Sequence, residues 1–220
     1  DTHKIIGNGL VSSFVACGSI TLSQQIFNRL DHCRDELSWN DLVQGYVKLG
    51  QYEQALELVC KMDEIGYIGF RRCTFLALSN ACIRLNCIKI GRETHALAVK
   101  EGYEKDVFVG SSLIDMYSKL GFLVEAREVC EDIGLRRNVV SWNALISGLA
   151  QFGNSEEVIE SLEAMQKEGI SPDMVTFISS LRAFTNVEDL EKGQKLHKYI
   201  VVVGFDKDVV IGNTLVSLYA

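Results

Sequence analysis

The chain has 220 residues, 47% of them apolar, a single proline and a formal net charge of −7. That balance belongs to a folded chain of one or two domains, or to a row of small repeats, and it holds no run of about 18 apolar residues that would cross a membrane. The acidic excess would ordinarily argue against a nucleic-acid partner, because phosphate binding depends on Lys and Arg.

Seven cysteines, Cys17, Cys33, Cys60, Cys73, Cys82, Cys87 and Cys130, form no C-x-x-C pair and are odd in number. They read as small apolar fillers of a reduced compartment rather than as disulfide partners or metal ligands. No basic apolar signal segment and no Arg-rich leader opens the sequence, so any address label is expected on chain outside it.

In chain order the residues fall into blocks that recur. The first, about 4–35, contains "IIGNGLVSSFVACG", in which Gly7 and Leu10 have the places of Gly110 and Leu113 in "VFVGSSLIDMYSKLG" of the block 107–138. The second, 36–71, overlays 139–173 with an offset of 103. Over 36–66, Ser38, Trp39, Asn40, Leu42, Gly45, Gly50, Glu53, Glu57, Met62 and Gly66 recur, ten of 31 positions. The third, 72–106, overlays 174–208 with an offset of 102: "TFLALSNAC" follows "TFISSLRAF", and Gly91, His95 and Gly102 follow Gly193, His197 and Gly204. One residue has therefore slipped in between about 67 and 73. Residues 209–220 begin a further block and stop.

Each block has the same internal grammar. In "WNALISGLAQFG" the apolar Trp142, Leu145, Ile146, Leu149 and Phe152 fall at helical spacing before Gly153 breaks the pattern. A second helix is expected from about Glu156 to Lys167, with Val158, Ile159, Leu162 and Met165 on one face and with Gly169 and Pro172 closing it. A hairpin of 31 to 36 residues cannot bury its apolar face alone. Neighbours are expected to stack into an all-α solenoid lined on its inner side by the first helices, the hand being unreadable from periodicity. The Trp, Leu-Gly and Tyr spacing of tetratricopeptide repeats and the T-P-L-H of ankyrin are absent.

These residues resemble the pentatricopeptide repeat family, in its land-plant PLS subclass of alternating standard, long and short repeats. "VVSWNALISGLAQFGNSEEVIESLEAMQKEGISPD" (139–173) is similar to a standard repeat, as is 36–71. Residues 72–106 and 174–208 are similar to long ones, 107–138 and about 4–35 to short ones, and 209–220 to a truncated short one, so that a single array covers 1–220. The resemblance implies a right-handed superhelix that binds single-stranded RNA at about one base per repeat, the base being chosen by the fifth and last residues. Those are Asn8 with Asp35, Asn40 with Phe70 or Arg71, Ser111 with Asn138, Asn143 with Asp173, and Asn213 in the truncated block. The long repeats offer Leu76 and Ile178, which cannot hydrogen-bond a base edge.

The chemistry fits that implication. An Asn amide can accept from uracil N3–H and donate to O4, and unpaired RNA exposes that edge. By the family's pairing rules Asn8/Asp35 and Asn143/Asp173 favour U and Ser111/Asn138 favours A; Asn40 is expected to favour a pyrimidine, with its partner left open by the inserted residue. Ile5, Leu37, Phe108 and Val140, at the second position, would flank each base, or else serve as interhelix core. Lys48 and Lys119, late in their first helices, are phosphate candidates or plain surface lysines. Glu156, Glu157, Glu160 and Glu163 belong to a second helix, the outer side, so net charge is a poor guide to the groove.

No enzyme is expected here: the deaminase signature H-x-E with P-C-x-x-C is absent. His95 and His197 recur with the repeat and read as structural, and His3 and His32 have no counterparts. No cofactor, metal, membrane or small-molecule substrate is implied. The family resemblance implies site recognition for organellar C-to-U RNA editing in a mitochondrion or chloroplast, with MORF-type editing factor proteins and a deaminase domain in cis or trans as partners. Splicing or stabilisation of RNA, and a protein-interaction scaffold of the tetratricopeptide type, are the alternatives.

Overall fold

The structure, a computed structural model, describes residues 2–30, 33–65, 69–184 and 189–219. His32 and residues 66–68, part of the stretch where the repeat offset changes, lie outside the described residues. Thirteen α-helices and no strand are found among the described residues. The chain forms two compact units, Asp1–Glu104 and Lys105–Ala220.

In the first unit α1 (Thr2–Ala16), α2 (Ile20–Leu30), α3 (Glu36–Lys48), α4 (Tyr52–Glu64), α5 (Arg72–Leu85) and α6 (Ile88–Lys100) make three antiparallel hairpins. In the second, α7 (Val107–Lys119), α8 (Leu123–Ile133), α9 (Val139–Gln151), α10 (Ser155–Lys167), α11 (Met174–Arg182), α12 (Leu190–Val202) and α13 (Val209–Tyr219) make three more and the first helix of a fourth. The expected second helix of block 139–173 is α10. Within each unit first helix packs on first helix: α1 on α3 and α3 on α5, then α7 on α9, α9 on α11 and α11 on α13. This is the all-α stack of hairpins that the periodicity predicts.

Local chemistry sets where the first helices begin and end. α3, α9 and α11 each open on a capping box, with Asp35, Asn138 and Asp173 at the N-cap and Ser38, Ser141 and Thr176 at the third helical position. Such caps are worth about 1 kcal/mol each. Gly50 and Gly153 turn the chain between α3 and α4 and between α9 and α10 at φ of 74° and 72°, a left-handed region that a Cβ would disfavour.

Small residues let the first helices approach. A Cβ on Gly148 of α9 would sit 2.2 Å from the Cβ of Ser118 in α7, and one on Gly45 of α3 would sit 2.7 Å from Ile20 Cδ1 and 2.9 Å from Val15 Cγ1. The two glycines stand 103 residues apart, so the repeat carries its packing geometry with it.

Both tryptophans are core, each 4% exposed. Trp39 meets Phe27 of the preceding hairpin edge to face at 4.6 Å, with the Arg34 guanidinium over both rings. Trp142 has Arg137 over its ring at 5.2 Å, and its Nε1–H donates to Glu168, which also pairs with Arg137. Arg34 and Arg137 are again 103 apart, so the cation over the tryptophan recurs with the repeat. Burying such side chains contributes about 2–3 kcal/mol each.

The cysteines correct the filler reading in part. Cys82 and Cys130 are buried and Cys73 and Cys87 half-buried, but Cys17, Cys33 and Cys60 are exposed. The reason is register: Cys17 and Cys33 follow helix ends and Cys60 occupies the outward face of α4, where neither packs.

Candidate nucleic-acid interface

The last residue of a block is the N-cap of the next first helix, and the fifth residue stands one turn into the first helix before it. Stacking first helices brings the two together. Asn143 Nδ2 donates to Asp173 Oδ1 at 3.0 Å, and Asn143 Oδ1 lies 2.6 Å from the hydroxyl of Thr176, which is also 2.9 Å from Asp173 Oδ1. Asp173 in turn accepts from the Thr176 amide at 2.9 Å. Burial works against its charged form, but the Thr176 amide, the Asn143 side chain and the Thr176 hydroxyl outweigh it and hold the carboxyl below its ordinary pKa. Asn143 is half-buried and keeps one N–H and one lone pair for a ligand.

Asn8 has the same frame in the first unit. Its Nδ2 donates to the Cys33 carbonyl at 3.0 Å, and its Oδ1 accepts from the Asp35 amide at 3.4 Å and from the Ser38 hydroxyl at 2.9 Å, that hydroxyl also lying 2.7 Å from Asp35 Oδ1. Here a serine bridges the fifth residue to the N-cap carboxylate. Asn8 is 4% exposed, tighter than Asn143.

Asn40 differs. Its Nδ2 donates to the carbonyls of Glu36 at 2.7 Å and Gly69 at 3.1 Å, while its Oδ1 accepts from the Arg71 amide at 3.2 Å and from the Thr74 hydroxyl. The N-cap of the following helix, α5, is Arg71, whose side chain caps nothing and pairs with Glu36 instead. Phe70, the other candidate partner, is buried against Phe75.

Ser111 and Asn138 are not joined by a hydrogen bond. The Ser111 hydroxyl is buried and unpartnered, and the Asn138 side-chain Oδ1 accepts from the Val140 and Ser141 amides as the cap of α9. Asn213 is exposed on α13. Leu76 and Ile178 are half-buried.

The second-position residues are exposed rather than interhelix core: Ile5 by 72%, Phe108 by 62%, Val140 by 57% and Leu37 by 41%. Large apolar side chains are thus open to solvent at this position in each unit. Val175 and Val210 hold the same place in their blocks and are as open, and sequence reasoning passed over them although the register alone picks them out. Asp106 and Asp208, the last residues of the long blocks, were missed in the same way; each caps the next helix through its carboxylate.

Lys119 is tied to Asp115 at 2.7 Å within its own helix, and Lys48 is exposed with no ion pair among the described residues. His197 meets the Tyr219 hydroxyl at 3.0 Å. No group of three or more His, Cys, Asp or Glu able to hold a metal is found among the described residues.

The chain is similar to known proteins. The model of the PPR repeat family matches residues 137–186, and that of the PPR repeat matches 37–67 and 111–136. In Arabidopsis thaliana, pentatricopeptide repeat-containing protein At1g11290, chloroplastic, is 34% identical over 211 residues, covering 96% of this chain and 26% of its own. Its relative At4g25270, chloroplastic, is 35% identical over 217 residues, covering 98% and 40%. At3g09040, mitochondrial, is 34% identical over 218 residues, covering 99% and 21%. The chain thus spans between about a fifth and two fifths of the length of these relatives. Among solved structures, PPR10 from maize superimposes with a TM-score of 0.59 at 19% identity, over 98% of this chain and 36% of that one. PPR10 in complex with an 18-nt psaJ RNA element does so with a TM-score of 0.62 at 18% identity, over 92% and 31%. At that identity the likeness speaks to the fold.

Proposed function

We propose that this chain, which belongs to the pentatricopeptide repeat family, binds single-stranded RNA and selects bases through the fifth residue of a repeat together with the N-cap that follows it. The observation that carries the reading is the Asn143 to Asp173 hydrogen bond. It fixes the amide's rotamer, so that its free N–H and lone pair meet uracil O4 and N3–H without further ordering. The exposed apolar second-position residues, Val140 beside Asn143 among them, supply faces on which the base is held.

On this reading Asn8/Asp35 and Asn143/Asp173 select U, Ser111/Asn138 selects A, and the long repeats select nothing. The alternation of standard, long and short blocks supports the PLS subclass and, with it, recognition of sites for C-to-U editing. A deaminase domain and MORF-type factors would then act beside this array. The relatives named chloroplastic or mitochondrial support an organellar location, and the RNA complex of PPR10 supports RNA as the ligand.

With few basic residues on the first helices and only about six repeats, binding will be weak and salt-sensitive. Selection from a pool of randomised single-stranded RNA at low salt tests the proposal: U and A should be enriched at the offsets assigned to these repeats. Bound RNA with no base preference at any offset, or no bound RNA at all, overturns it in favour of a protein scaffold.

A further inference from the structure

The fifth residue of a repeat can read a base only with hydrogen-bonding capacity left over. An asparagine side chain has four such places, two N–H donors and two lone pairs on the oxygen. Asn143 spends two of them inside the protein, and Asn8 spends three, keeping one N–H for a base edge. Asn40 spends all four, on the Glu36 and Gly69 carbonyls, the Arg71 amide and the Thr74 hydroxyl, and its side chain is fully buried.

We propose that repeat 36–71 is a silent spacer in base selection: Asn40 acts as a staple between α3 and the chain entering α5, and the nucleotide opposite it goes unread. The inference rests on the RNA-reading proposal above. It departs from the expectation of a pyrimidine at this repeat, which left the partner of Asn40 open.

The difference has a local cause. Gly69, at φ 137°, adopts a backbone that other residues rarely reach, and this conformation turns its carbonyl to Asn40. In block 139–173, where no residue is inserted, Pro172 and Asp173 precede the next helix, and a carboxylate oxygen takes the amide hydrogen instead. In block 36–71 the N-cap is Arg71, whose Nε pairs with Glu36 Oε1 at 3.3 Å, so no side chain comes from that position to complete a reading pair. For the fully buried Asn40 to meet a base, its bond to the Gly69 carbonyl or to the Arg71 amide must break first.

The test is RNA selection by the wild-type chain and by Asn40→Ala and Asn143→Ala, with thermal unfolding of each. Opposite repeat 36–71 the wild type should leave the four bases within about twofold of the input pool, while uracil opposite repeat 139–173 is enriched about tenfold. Asn40→Ala should leave that profile unchanged and lower Tm by about 5 °C or more, whereas Asn143→Ala should erase the uracil enrichment. A base enriched opposite repeat 36–71 in the wild type overturns the inference while sparing RNA reading, and this arm needs no variant to fold. Absence of enrichment at every offset overturns RNA reading itself, and the spacer with it.

Discussion

Asn143 and Asp173, 30 residues apart, meet in a 3.0 Å hydrogen bond because α9 stacks on the N-terminus of α11. One residue lies on a helix face and the other caps the next helix, so the pair is as rigid as the stack. Exchanging both, Asn143→Ser with Asp173→Asn, should move this repeat's preference from U towards A by about tenfold, the scale of one good base-edge pair. Competition between two RNAs differing only at that nucleotide checks it, and an unchanged ratio would show that the register is wrong.

The same carboxylate also bears on stability. Hydrogen bonds from Thr176 and Asn143 outweigh burial and lower the Asp173 pKa in the folded chain. A depressed folded pKa stabilises the fold above the pKa of the unfolded carboxyl, and the contribution disappears as pH falls through the folded value. Urea unfolding of wild type and Asp173→Asn across acid pH should therefore converge at the acid end and stay parallel above it. Asp173→Ala, which also removes the cap, should cost about 1 kcal/mol at neutral pH.

The repeat was legible because its markers are rigid ones. Trp39 and Trp142, Gly45 and Gly148, and Arg34 and Arg137 recur at one offset since each fills the same contact between hairpins. What the sequence could not convey is how a polar side chain divides its bonds. "SWN" reads identically at both copies, yet Asn40 is saturated, two of its four bonds going to the backbone of the segment that carries the inserted residue, and Asn143 is not. Likewise Asp35, Asn138 and Asp173 are helix caps before they are anything else, a role that a reading by repeat position overlooks although the Asp or Asn followed by Ser or Thr three residues later announces it.

Gly148→Ala should destabilise the second unit more than Gly45→Ala destabilises the first. The new methyl at 148 meets the Cβ of Ser118, with Ser118 Cα 3.3 Å away, so only the helices can give. At 45 it meets the ends of Ile20 and Val15, side chains that can shift. Overpacking of this kind costs about 1–3 kcal/mol. Calorimetry of both variants, with Ser118→Gly added to the first, should show part of the loss recovered; equal losses at the two sites would contradict the close approach of α7 and α9.

Arg137→Ala should loosen the second unit by about 2 kcal/mol, since it strips the cation from the Trp142 face and leaves Glu168 only the Trp142 Nε1–H. Arg137→Lys should recover only part of this, because an ammonium cannot both stack on the ring and hold the carboxylate. Tryptophan fluorescence during unfolding of the two variants distinguishes these outcomes.

Thiol reactivity should sort the seven cysteines by their place in the hairpins rather than by sequence neighbourhood. Burial pushes the Cys82 and Cys130 thiols up to about 11, so almost no thiolate forms near pH 8, and the chain around them blocks reagents as well. In Cys130 burial prevails even though Arg137 lies beside it and favours the thiolate. Brief alkylation of the folded chain followed by mass spectrometry should mark Cys17 and Cys33 first and leave Cys82 and Cys130 unmodified until denaturant is added. Arg137→Ala, by opening the Trp142 contact, should speed labelling of Cys130 while leaving Cys82 as slow as before, and equal rates for both would detach Cys130 from that contact.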